Sequence, residues 1–222
     1  MAGKYLSNLK KLFFHPSHFF KSIEQETSYS GAMFFYVKIT LISVVISLII
    51  SISSLISSSA SSTQSFVNSF INAVTTVGLA FIIPFAVSGV AQLGVWIFRG
   101  KQGYINTYKA MSYPLAITVI YGIITMIILL IKNAIMPISI PADVQDYATL
   151  FSDKNFVSSM IISVVILAIS MIHMLVAQVI GLSKFQKISK LKSFFAIILI
   201  PLILGIIAAI LLVKYANQAG IA

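Results

Sequence analysis

The apolar residues of this 222-residue chain are gathered into five long blocks separated by short polar stretches, and that grouping limits the fold more than any motif does. A helix needs roughly 20 apolar residues to cross about 30 Å of hydrocarbon. Segments of that length occur at about 33–56, 75–98, 111–136, 157–180 and 194–213. Ile and Val are abundant in them, but unbroken apolar runs lack the alternation of a barrel strand, whereas a helix satisfies its own backbone groups in lipid. The composition agrees: 59% of residues are hydrophobic and only 9% charged, against about 45–50% and 25% in a soluble domain. The expected fold is an all-α integral membrane bundle of five transmembrane helices over 33–222, preceded by a short cytoplasmic interfacial segment at 1–32.

A formal charge of +10 would point to nucleic acid if the lysines lay on a soluble folded face. Here they flank the apolar blocks. Lys4, Lys10, Lys11, Lys21 and Lys38 precede or begin the first span; Arg99, Lys101 and Lys109 follow the second; Lys184, Lys187, Lys190 and Lys192 follow the fourth. With five crossings all of these share one side, and only Lys132, Lys154 and Lys214 fall on the other, beside Asp143, Asp146 and Asp153. The positive-inside rule then places the N-terminus in the cytoplasm and the C-terminus outside. A missed or additional crossing would scatter the basic loops over both faces. Nucleic acid is excluded as a partner on this reading; anionic lipid head groups are the expected contact.

The N-terminal segment is not a secretory signal, because Lys10, Lys11, His15 and Pro16 interrupt its apolar clusters before an h-region forms. The chain is therefore expected to begin near Met1. Leu6, Leu9, Leu12, Phe13, Phe19, Phe20 and Ile23 alternate with the lysines, a pattern suited to a short helix in the membrane interface, broken near Pro16. Lys10, Lys11 and Lys21 are its candidate head-group contacts. In "GLSKFQKISKLKSF", residues 181–194, Lys184, Lys187 and Lys190 recur every third position beside Phe185, Ile188 and Leu191. This stretch is expected to be a cytoplasmic loop that turns the chain into its last span, its lysines contacting head groups, and its spacing also allows a short interfacial helix.

The polar stripe Asn68, Asn72, Thr75 and Thr76 leads into the second span. Segment 64–78 reads as an amphipathic turn or two at the outer interface, as a re-entrant piece, or as part of one long helix, with a kink expected near Pro84. The Ser-rich run "SISSLISSSASSTQS" is expected to form a flexible outer loop, and Ser43, Ser47 and Ser51 a small-residue face for helix packing or, alternatively, a polar path.

Chemistry has little to work with. Five acidic residues are present, none inside a span, so an intramembrane carboxylate relay has no residues. The absence of cysteine removes thiol chemistry and Cys-ligated metals. His15 and His18 are separated by Pro16 and lack a third ligand nearby. Neither an HExxH, a GxSxG nor a phosphate-binding GxxxxGK[ST] occurs. No enzyme activity, cofactor or metal is expected. His173 is the ionisable residue set deep in a span, and Asn72, Gln92 and Gln178 are the other candidate intramembrane polar contacts, serving helix packing or, in a transport component, a path between helices.

Three stretches resemble the Yip-domain family of five-span membrane proteins, known for interacting with Ypt/Rab small GTPases. "HPSHFFKSI" is similar to the P-x-x-F-F-x-x-I lead of prokaryotic members. "GKQGYINTYKAMSYPLAI" is similar to that family's loop into the third span, with Gly103, Tyr104, Tyr108, Ala110, Tyr113 and Pro114 as the matching positions, and "GLSKFQKISKLKSFFAIIL" to its approach to the last span. The resemblance implies a non-enzymatic role in membrane organisation or trafficking, a prokaryotic cell-membrane location, and contacts with further copies or other membrane proteins in the bilayer. Eukaryotic members carry a longer cytosolic N-terminal region than residues 1–32 supply, which argues against a small-GTPase partner.

Overall fold

The computed structural model describes residues 2–57, 62–136 and 151–218. Seven helices make up these residues: α1 (Ala2–Phe14), α2 (Pro16–Ser22), α3 (Tyr29–Ser57), α4 (Ser62–Ile97), α5 (Tyr104–Ile135), α6 (Lys154–Gln186) and α7 (Lys190–Gln218). Among the described residues no strand occurs. Five of the helices are long and apolar enough to cross a membrane: Tyr29–Ile52, Val67–Ile97, Tyr104–Ile135, Lys154–Gln186 and Lys190–Tyr215. This is an all-α integral membrane protein.

Local chemistry sets the helix ends. Pro16 opens α2 at a position where its missing N–H costs nothing. The Ser28 hydroxyl accepts from Ser30 N–H at 3.1 Å to start α3, and Asp153 accepts from Asn155 and Phe156 N–H at 2.6 and 3.3 Å to start α6. Ser189 caps α7 through Lys192 N–H; such caps contribute about 1 kcal/mol each. Helix α4 closes with Arg99 in the left-handed region, φ 62°, its N–H on the Trp96 carbonyl and Gly100 N–H on the Val95 carbonyl, the Schellman arrangement.

The spans extend further than hydropathy alone indicates, because polar residues at their ends, Tyr104 to Lys109 above all, continue the helix once their side chains have protein partners. Segment 64–78 belongs to one long helix: α4 is unbroken through Pro84, whose carbonyl accepts from Ser88 Oγ. The Ser-rich run at 51–65, expected to end the first span in a loop, is helical to Ser57 and again from Ser62, and its remaining residues 58–61 lie outside the described residues. Asp143 and Asp146 also lie outside them. The interfacial helix that the spacing allows at 181–194 is instead the end of α6, a three-residue turn and the start of α7; Lys187 takes φ 54° and Ser183 Oγ donates to the Ile188 carbonyl, closing the turn too tightly for a separate helix.

The chain forms two compact units. The first comprises residues 1–34, 82–114 and 175–222; its buried apolar side chains include Leu12, Phe19, Phe20, Val95, Tyr108, Met111, Leu182 and Phe185. Here α4 and α7 meet backbone to backbone, since a Cβ on Gly94 would overlap the Ala196 carbonyl. The second comprises residues 35–81 and 115–174, with Phe35, Val37, Ile39, Ala80, Leu115, Ala116 and Ile117 buried. Large apolar residues such as Ile42, Val45, Ile49, Ile131 and Ile161 are exposed, as expected where the solvent is lipid.

Candidate functional site

The densest polar arrangement lies in the first unit and is centred on Gln186, 2% exposed at the end of α6. Its Nε2 donates to the Gly103 carbonyl and to Thr107 Oγ1, both at 2.9 Å. Its Oε1 accepts from Gln102 N–H at 3.0 Å. Thr107 Oγ1 in turn donates to Gln92 Oε1. One amide thus ties α6 to the turn after α4 and to the first turn of α5. Gly103 takes φ +80° there, a conformation that glycine adopts without strain.

A second cluster anchors the N-terminal segment. Phe20 is fully buried, its ring edge-on to Phe185 at 5.5 Å between centroids. It also fills the space where Gly181 lacks a side chain; a Cβ at that position would run into the ring. Phe19, also fully buried, packs edge-on against Tyr113 at 5.0 Å. Tyr113 donates to Glu26 Oε2 at 2.8 Å, and that carboxylate rests where a Cβ on Gly31 would stand. Lys109 is 1% exposed; its ammonium donates to the Glu26 carbonyl at 2.6 Å and lies 4.6 Å from the Phe185 ring centroid, within cation–π range. Glu24 faces Lys184 at 3.9 Å.

Beside these, Tyr29, Phe85, Tyr104 and Tyr108 form an aromatic cluster with centroid separations from 4.7 Å for Phe85–Tyr108 to 6.4 Å for Tyr104–Tyr108. The Tyr104 hydroxyl donates to the Phe85 carbonyl at 3.0 Å.

The second unit holds His173, whose Nδ1 lies 3.3 Å from the Tyr121 hydroxyl with the rings edge to face. Lys132 Nζ donates to the Asn155 carbonyl at 2.7 Å and to Ser159 Oγ at 2.8 Å, joining the end of α5 to the start of α6. Asn72 lines a groove of about 200 Å³ with Ser43, Ser47, Ser69 and Thr76. A second groove, about 330 Å³, is lined by Thr118, Tyr121, Thr125, Ser163 and Ser170 among others.

The expected contacts therefore fall in separate places. Gln92 bonds Thr107, and Gln178 Nε2 reaches the Met111 carbonyl at 3.4 Å, while His173 bonds Tyr121 and Asn72 faces a groove. Lys10, Lys11, Lys21, Lys187 and Lys190 are exposed, and Lys184 is partly covered. Gly103, Tyr104 and Tyr113 each serve the first unit's packing, and Pro114 is buried within α5. Sequence reasoning missed Gln186, Thr107, Lys109 and Glu26. The usable signal was Gln186 itself, a polar residue next to an apolar block with no charge to explain it. Among the described residues no group of three or more His, Cys, Asp or Glu is placed to hold a metal ion.

A family model, the Yip1 domain, matches residues 10–212. The chain belongs to the Yip1 domain family. The matched span takes in both halves of the N-terminal anchor, from Phe19 and Phe20 to Phe185, and the whole Gln186 network. No curated protein matches the chain, and no solved structure does.

Proposed function

We propose that this Yip1-family protein is a non-enzymatic, partner-binding or membrane-organising protein of a prokaryotic cell membrane, with its N-terminus in the cytoplasm and its C-terminus outside. The observation that carries the reading is α7. From Pro201 to Tyr215 every residue of this apolar helix is exposed, and in hydrocarbon such a face meets lipid or another membrane helix. The buried Lys109 and Gln186 and the half-buried Glu26 hold chain segments together, a structural use of polar groups. Basic loops flanking the spans support the orientation. The test is a photo-reactive side chain at Leu211, activated in native membranes. Discrete protein adducts, from a second copy or another membrane protein, are expected; lipid adducts alone at Leu211 and at Ile207 would refute the partner-binding reading.

The second reading is a transport component. It is favoured by the groove of about 200 Å³ in the second unit, lined by Asn72 and the hydroxyls of Ser43, Ser47, Ser69 and Thr76. Asn72→Leu should then abolish solute flux in proteoliposomes without unfolding the protein, and an absence of flux in the parent protein would remove this reading.

A further inference from the structure

The first unit contains two acidic residues, Glu24 and Glu26, and most of the chain's basic ones. Both carboxylates are engaged within the unit: Glu24 faces Lys184 and Glu26 accepts from Tyr113 beside Lys109. Lys10, Lys11, Lys21, Arg99, Lys101 and Lys187 are all exposed, and the one exposed carboxylate of the unit, Glu24, is shared with Lys184. A soluble surface would intersperse both signs. Helix α1 adds an apolar element. It buries Leu12 completely but leaves Leu6 63% and Phe14 65% exposed, on the helix that bears Lys10 and Lys11.

Exposed cations beside exposed apolar side chains fit the boundary between phosphates and acyl chains. We propose that this surface recruits anionic phospholipids, with the lysines on head-group phosphates and Leu6 and Phe14 among the upper acyl carbons. The proposal gives the membrane-organising reading above a ligand class and rests on that reading for its setting. A basic face for an acidic protein or nucleic acid would not need Leu6 and Phe14 outside the core, so the lipid is the better fit.

The full-length protein, reconstituted in phosphatidylcholine vesicles containing phosphatidylglycerol, is probed with spin-labelled forms of both lipids. The motionally restricted fraction at the protein surface should favour phosphatidylglycerol several-fold. The preference should collapse as salt is raised from 0.1 M to 1 M, where the screening length falls from about 10 Å to about 3 Å. K10Q/K11Q/K21Q/K187Q should lose most of it, whereas K154Q/K214Q, on residues outside this cluster, should retain it. L6A/F14A should reduce restriction of both lipids. Equal restriction of the two lipids, or a preference untouched by the four-lysine variant, overturns the proposal. So does a preference erased by millimolar inorganic phosphate at constant ionic strength, which would assign a free-anion site. Binding of RNA or polyglutamate with no lipid preference would assign the surface to a macromolecule instead. Leu211 cross-linking is independent of these lysines, so the two readings can fail separately.

Discussion

Replacing Gln186 with Leu tests whether one buried amide fixes the connection between α4 and α5. The substitution keeps the apolar volume and deletes three hydrogen bonds, to Gln102 N–H, the Gly103 carbonyl and Thr107 Oγ1. Gln102 and Gly103 are exposed, so their backbone groups can turn to water; Thr107 is fully buried and keeps its bond to Gln92. No partner is left buried and unpaired, so each of the three bonds is an ordinary loss of about 0.5–1.5 kcal/mol, which puts the total at about 2–4 kcal/mol. At about 2–4 °C per kcal/mol for a chain of this size, the unfolding midpoint in detergent should fall by roughly 4–16 °C. Hydrogen exchange supplies the local readout: the Gln102 amide should exchange at least tenfold faster, since about 1.4 kcal/mol of lost protection is one decade. Gln186→Glu sharpens the test. It keeps length and the acceptor for Gln102 but replaces the donor facing the Gly103 carbonyl and Thr107. It should cost at least as much as Leu. A midpoint within about 1 °C of the parent, with Gln102 exchange unchanged in both variants, would refute the pinning role.

Phe20→Ala should destabilise the first unit by about 3–5 kcal/mol if the cavity stays open, and Gly181→Leu should eject the same ring from the other side; both should speed proteolysis between α2 and α3. A variant as resistant as the parent would mean that the segment is held by lipid alone. Lys132→Met removes charge-assisted bonds to Asn155 and Ser159. Because the lysine is only partly buried, about 1–2 kcal/mol is expected, and a double-mutant cycle with Ser159→Ala should show coupling; additivity would contradict the contact.

The five spans were legible because hydrocarbon imposes a length and a composition that no other constraint disguises. Pro16 as a helix break was legible for a similar reason: it acts through its own ring. What escaped were contacts between residues far apart in sequence. Lys109 reads as a loop cation from its place between two apolar blocks, yet α5 begins at Tyr104 and carries it inside. Phe19 and Phe20 read as interfacial, since an aromatic pair beside lysines has the same pattern whether it faces lipid or protein. Nothing local distinguishes the two; the deciding features are Gly181 and Gly31, which leave room for Phe20 and for the Glu26 carboxylate. The continuity of α4 was hidden by its polar first turns, which suit an interface and a long helix equally well.

Scarcity of acid gives these buried contacts a consequence at the surface. With five acidic residues in the whole chain, the first unit holds just Glu24, exposed beside Lys184, and Glu26, half-buried against Tyr113, so its exposed lysines are far from balanced. The same bonds that seat the N-terminal segment, Tyr113 to Glu26 and Lys109 to the Glu26 carbonyl, therefore also hold one carboxylate back from the positive surface that segment presents. If the segment were released, Glu26 would become an exposed carboxylate among the cations, and the field attracting anionic lipid would weaken as the anchor opened. Seating of α2 and strength of lipid attraction are thus coupled through one side chain. Glu26→Gln separates them: it retains an acceptor for Tyr113 and removes the charge, so anchoring should be kept while lipid preference holds or rises.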